Sequence, residues 1–180
     1  MKRELGVLAV TLLLGGCTLL SPPHPAPQHT FVLDAHVTEQ VATDRVRDVV
    51  LQLNPLLARP GYDTRAMVYT ERAHELQFFA DNRWAAPPVD MLLPLMAEAL
   101  ERSCGIHAVF AARGATAADL RLDGELVRLL QDFGSRPSHV EFVLRVQLID
   151  VGSGRVLAAR EFGENEAATS DDPYGGALAA

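Results

Sequence analysis

The sequence predicts an α+β fold: a mostly antiparallel sheet with one main helix packed on one face and room for a short C-terminal helix. Two patterns carry this. Val140, Phe142, Leu144, Val146 and Leu148 alternate with Glu141, Arg145 and Gln147, and past "GSG" (Gly152 to Gly154) the chain returns through Val156, Ala158 and Phe162. That alternation, with Val143 as its exception, describes an antiparallel hairpin with one buried and one wet face. By contrast, Val89, Leu92, Leu93, Met96 and Leu100 recur at helical spacing. One apolar helix stripe among many strand-like runs has to cover the buried side of the sheet, which gives a two-layer sandwich.

The elements follow in chain order. Lys2 and Arg3 form a positive start, Leu5 to Leu14 an apolar run, and Gly15-Gly16 a narrow site before Cys17. This is the three-part pattern of a secretory signal peptide. A cysteine placed directly after the small residues makes it resemble a bacterial lipobox, with Cys17 lipidated; the alternative is an ordinary signal peptide with an incidental cysteine. The apolar run is shorter than the ~20 residues that span a bilayer. Thr18 stands where enteric inner-membrane lipoproteins carry an aspartate, which tilts the expected location towards the outer membrane. Residues 18–29, "TLLSPPHPAPQH", hold four prolines and suit an extended spacer or a tail without fixed structure.

The folded domain begins at "TFVLD", Thr30 to Asp34, read as a strand. A second strand runs from Asp48 to Leu53 and stops at Asn54-Pro55. "LLARPGYD" reads as a turn, and "TRAMVYT" and "ELQFFAD" as two strands joined through "ERAH". Pro87-Pro88 suits a first helical turn, where missing N–H groups cost little. Asp90 sits where the helix dipole favours negative charge. Pro94 removes an interior hydrogen bond, so the helix either kinks there or begins its regular part there. "IHAVFA" is a strand, and "ADLRLDGELVRLLQDF" another, with Gly124 a candidate bulge. Ser170 or Asp172 caps a last short helix with Pro173 at its first position; Gly175 and Gly176 weaken it. The expected boundaries are residues 1–16 for the signal peptide, 17–29 for the lipidated cysteine and linker, 30–170 for the domain and 171–180 for the tail.

The chemistry expected of these residues is sparse. Removing Lys2, Arg3 and Glu4 with the leader takes the net charge from −7 to −8. Negative charge excludes phosphate-driven nucleic-acid binding and electrostatic adhesion to anionic lipid. Histidines at 24, 29, 36, 74, 107 and 139 form no HExxH spacing, and Cys104-x-x-His107 lacks further ligands, so neither metal nor cofactor is expected. Cys104 is expected to be buried. Ser153 belongs to a hairpin turn rather than a G-x-S-x-G elbow. Asp171-Asp172 and Glu164/Glu166 read as solvated surface. No enzyme is expected. Arg59, Arg65, Arg72 and Arg83 are either a solvated face or forked donors for a partner's carboxylates.

Leu56 to Ser103, "LLARPGYDTRAMVYTERAHELQFFADNRWAAPPVDMLLPLMAEALERS", resembles the core of the ABC-type transport auxiliary lipoproteins, the paraquat-inducible C-like components of MCE-type lipid transporters. The matching pieces are Arg59-Pro60, Arg65 at a strand start, Leu76 to Phe79, Arg83-Trp84-Ala85 and the leucine-rich helix, together with "TFVLD" and the lipobox. The likeness covers roughly residues 30–170. It implies a membrane-anchored accessory protein without catalysis. Its partners would be an MCE-domain protein and an ABC permease and ATPase, and the family allows a homo-oligomer. Arg65, Arg83 and Trp84 are the partner-binding candidates, Trp84 also reading as a packing plug between strand and helix. The second functional reading is a periplasmic lipid-binding lipoprotein holding a fatty or sterol-like ligand between sheet and helix.

Overall fold

The computed structural model of the chain describes residues 27–34, 47–103, 106–111 and 117–180. The leader, the lipidation candidate Cys17, most of the linker and Cys104 lie outside these residues. Among the described residues nine strands form one sheet: β1 (His29–Phe31), β2 (Arg47–Leu53), β3 (Leu57–Ala58), β4 (Ala66–Thr70), β5 (Gln77–Trp84), β6 (Ile106–Ala111), β7 (Leu120–Asp132), β8 (His139–Asp150) and β9 (Val156–Ala167). Among the described residues two helices accompany it, α1 (Pro88–Ser103) and α2 (Pro173–Ala179).

Strand β7 organises the rest. Along one edge it pairs antiparallel with β8, from Leu120↔Asp150 to Asp132↔His139. Along the other edge it carries three segments in succession. Leu51 of β2 lies beside Leu120, Leu57 of β3 beside Glu125, and Tyr69 of β4 beside Gln131. Between the strands the chain keeps to this edge: the Asn54 N–H donates to the Leu122 carbonyl at 3.0 Å and the Arg59 N–H to the Leu126 carbonyl at 3.0 Å.

This corrects the expected fold class in two respects. The sheet is mixed, not mostly antiparallel: β1–β5, β2–β6, β2–β7, β3–β7 and β4–β7 pair in parallel. Only β4–β5, β7–β8 and β8–β9 pair antiparallel. A chain running three times along one edge in one direction must pair in parallel each time, and alternation within a strand carries no information on direction. Nor does one main helix on one face describe the covering layer. Val89, Met91 and Leu92 of α1 pack on a cluster containing Met67, Val68, Trp84 and Leu126, onto which Ala177 and Ala179 of α2 also pack. Leu93, Met96, Ala97 and Leu100 pack on a second cluster, Leu51, Leu53 and Val109. Sixteen residues of helix make a rod of about 24 Å, long enough to reach across at most about five strands at ~4.8 Å spacing. Every residue of β9 is exposed.

Local features follow from contacts. The β7 bulge lies between Leu126 and Arg128, not at Gly124. Gly124 is instead where the Leu56 side chain lies flat on the strand; a Cβ there would sit 2.5 Å from Leu56 Cδ2. Helix α1 continues through Pro94. The "GSG" hairpin turn places Gly154 at φ 69°, a left-handed conformation that glycine adopts at no steric cost.

Candidate functional site

The antiparallel pairing of β4 with β5 sets Ala66 opposite Arg83 and brings the start of β4 against the end of β5. The junction is closed reciprocally. The Trp84 N–H donates to the Arg65 carbonyl at 2.8 Å, and the Arg65 Nε–H donates to the Trp84 carbonyl at 3.1 Å. Trp84 is 4% exposed and belongs to the core cluster with Met67, Val68 and Leu126. Its neighbour Arg83 points the other way, as successive strand residues must; it is exposed and its Nε–H donates to Thr30 Oγ1 at 3.4 Å.

The three residues singled out from sequence are therefore adjacent in the chain fold but divided between two environments. Trp84 fills the core at the strand-to-helix junction. Arg65 and Arg83 are both exposed; Arg83 lies beside β1, opposite Thr30, and Arg65 lies at the start of β4. Neither arginine is in an ion pair with another described residue. The other two arginines of the sequence cluster are engaged: Arg59 lies 3.6 Å from Glu125, and Arg72 lies 2.9 Å from Glu75. What separates them is local. Arg72 and Glu75 share a tight turn, and Arg59 sits across from a β7 carboxylate, whereas β5 and β1 offer Arg83 a hydroxyl.

A second polar region was legible from sequence only in part, through the Asp172 cap. Asp171 and Asp172 are fixtures of the fold rather than simple solvated charges. The Ser138 N–H donates to Asp171 Oδ1 at 2.7 Å. Asp172 caps α2, accepting from the Gly175 N–H at 2.7 Å. These amide donors hold both carboxyls below the usual carboxylate range. Ser138 is wholly buried, and its Oγ accepts from Gln131 Nε2 at 2.9 Å. The two glycines that weaken α2 as a helix permit this close seat. A Cβ on Gly175 would lie 2.2 Å from the Ser170 carbonyl oxygen, and one on Gly176 would lie 2.3 Å from Gln131 Oε1. In sequence, Asp172-Pro173 signals the cap, but nothing in it identifies Ser138 as the partner of Asp171.

Two cavities bear on ligand binding. Beneath α2 an apolar space lined by Met67, Phe79, Trp84, Leu129 and Val140 measures about 20 Å³, the room of a single water. Beside the β4–β5 turn an open groove of about 430 Å³ is lined by Tyr62, His74, Arg128 and Glu141 among others. Arg128 and Glu141 form an ion pair there, and burial pushes the Tyr62 phenol up.

Comparison with known proteins agrees with the architecture. Protein XCC0632 from Xanthomonas campestris superposes with a TM-score of 0.75 at 24% identity, over 83% of this chain and 84% of that one. An uncharacterized protein of known structure superposes with a TM-score of 0.63 at 14% identity, over 84% and 88%. A PelC dodecamer from Paraburkholderia phytofirmans reaches 0.47 at 14% identity, over 75% and 81%, too loose a likeness to carry an argument. No curated protein matches. At these identities the structures establish the fold, and the sequence itself establishes the family. Residues 31–180 match the ABC-type transport auxiliary lipoprotein component, and the chain belongs to that family.

Proposed function

We propose that the protein is the lipid-anchored auxiliary subunit of an MCE-type ABC transporter, assisting lipid transport between membranes by docking and without catalysis. Cys17 carries the anchor, the Pro-rich linker spaces the domain from the membrane, and Arg65 and Arg83 meet carboxylates on the MCE protein or the permease and ATPase complex. The outer membrane is the expected site of attachment. The observation that supports this most is the match to the auxiliary lipoprotein family across the whole domain. The exposed arginines add to it, because a guanidinium held by backbone and hydroxyl groups on a rigid strand pair keeps its fork available for a partner's carboxylate.

The lipid-carrying alternative draws no support from the core: a cavity of about 20 Å³ falls far below the ~300 Å³ at which ligand pockets begin. The test is affinity purification of the tagged full-length protein after gentle detergent extraction. MCE and permease subunits are expected to accompany it, and Arg65→Glu or Arg83→Glu is expected to weaken that association while leaving the melting temperature nearly unchanged. Isolation free of every transporter component would overturn the reading. A large fall in melting temperature with docking intact would make the two arginines structural.

A further inference from the structure

We propose that the open groove beside the β4–β5 turn binds an organic cation, a guanidinium or ammonium group, between Glu71, Asp132 and the Tyr62 hydroxyl. The inference stands apart from the transporter reading and uses none of its residues. It begins with charges left over. Glu71, Glu75, Asp132 and Glu141 line the groove with only two guanidinium groups, Arg72 and Arg128. Each guanidinium is committed: Arg72 lies 2.9 Å from Glu75, and Arg128 pairs with Glu141. Glu71 has neither an ion pair nor a hydrogen bond among the described residues. Asp132 Oδ1 accepts from the Gly134 N–H at 2.7 Å, and Oδ2 keeps its acceptor capacity. Uncompensated negative charge in a recessed surface draws a cation.

Carboxylates alone would be a solvated rim, and Tyr62 is what distinguishes this groove. Its side chain is 7% exposed and its ring belongs to the core cluster. Its hydroxyl makes no hydrogen bond among the described residues, although buried polar groups normally have a partner. Burial pushes the phenol up, and the next influences on it are the Arg128 guanidinium and the Glu141 carboxylate, so its oxygen stands at that end of the groove. The sealed side-chain atoms without a hydrogen-bond partner among the described residues are Arg121 Nε and Gln131 Oε1. The Tyr62 oxygen is not sealed and opens on the groove that Tyr62 lines.

Register brings these groups together. Thr70 lies beside Asp132, and Glu71 is the next residue past that pair. Arg128, Leu130 and Asp132 share one face of β7, with Glu141 beside Leu130. The turn is held in place, since the Arg72 carbonyl accepts from Thr70 Oγ1 at 2.6 Å and from the Glu75 N–H at 3.2 Å. Acceptors fixed before binding lose little freedom when a ligand arrives. The unused groups accept hydrogen bonds, which suits a ligand that only donates, as ammonium and guanidinium groups do. No group of His, Cys, Asp and Glu among the described residues could hold a metal ion. A volume of about 430 Å³ lies within the ~300–1,000 Å³ of ligand pockets. The cation arrives on a basic side chain of another protein or as a free polyamine; the charged N–H donor is common to both.

The experiment uses the full-length protein in non-ionic detergent, titrated with three probes: acetyl-Gly-Arg-Gly-amide, the same peptide with neutral citrulline for arginine, and spermidine. Amide signals of residues 71–76 and of Gly134 are expected to shift with the arginine peptide or with spermidine and to stay still with the citrulline peptide. A stronger response to the arginine peptide identifies a protein partner as the source, and a stronger response to spermidine a free amine. Glu71→Gln and Asp132→Asn should each weaken binding about tenfold, since each removes a charged acceptor. Tyr62→Phe should weaken it about fivefold with an unchanged melting temperature, because no hydrogen bond within the chain is lost. Equal shifts from the citrulline peptide overturn the proposal, as does silence from both cations at millimolar concentration. So does undiminished binding in the Glu71→Gln, Asp132→Asn double variant. A fall in melting temperature from Tyr62→Phe would show the hydroxyl engaged within the chain and overturn the site as drawn.

Discussion

Strands β8 and β9 are bonded to one another from His139↔Ala167 to Ile149↔Val156, and their environments are opposite. β8 buries Val140 and Leu144 at 4% and 7% exposure, while β9 buries nothing. The apolar positions of the two strands sit on the same face: Leu144 stands beside Phe162, and Leu148 beside Ala158. The difference comes from what lies above them. Helix α1 and the clamped tail cover β7 and β8, and the cover ends there. Alternation in a strand describes which side chains share a face; whether that face is dry depends on segments distant in sequence.

The largest effect that would sharpen this contrast comes from cutting side chains on either side of it. Leu53→Ala and Leu126→Ala, both at fully buried positions, should each cost about 2–5 kcal/mol in urea unfolding. Leu157→Ala on β9 should cost no more than ~0.5 kcal/mol. Similar losses at all three would erase the distinction. Glycines supply a smaller version. Gly176→Ala drives a methyl into Gln131 Oε1 and should destabilise by about 1–3 kcal/mol. Gly163→Ala on β9, where the nearest atom is Val143 Cγ2 at 3.9 Å, should stay within ~0.5 kcal/mol.

The smallest effect is one of pH. Asp171 and Asp172 have carboxyls lowered by amide donors in the folded chain. Between the lowered values and the ordinary ~3.9, the unfolded chain binds more protons, so stability there rises with pH. Their contribution is complete above the ordinary range and disappears as pH falls through the folded values. Hydrogen-exchange protection at the Gly175 and Gly176 amides, taken relative to the intrinsic rate at each pH, should fall on acidification before that of the β7–β8 ladder, and Asp172→Asn should remove part of that pH dependence. An acid response that starts in β7 and β8 would refute the clamp.

Much of the secondary structure was legible. β2, β4, β5, α1, β6 and the β8–β9 hairpin follow from apolar spacing and from Asn54-Pro55, Pro87-Pro88 and Gly152 to Gly154. Trp84 as a packing residue was legible from its place between a strand and a proline pair. The sharing of one β7 edge by β2, β3 and β4 was not, because register between distant segments leaves no periodic trace. β3 is two residues long, too short for a pattern. Asp171 looked solvated because Ser138 lies 33 positions away. The arginine cluster was visible as a group, but only geometry divides Arg59 and Arg72, held by nearby carboxylates, from Arg65 and Arg83.

The shared edge has a kinetic consequence. The segments that lean on β7 are synthesised before it, and none of their parallel pairings to it can form until residues 120–132 exist. The first third of the domain must wait for its scaffold, and the closing of those distant loops precedes the contacts that reward it. Refolding should accordingly be slow for a domain of this size, and a chain cut short before residue 120 should gain no lasting order in β2 or β4.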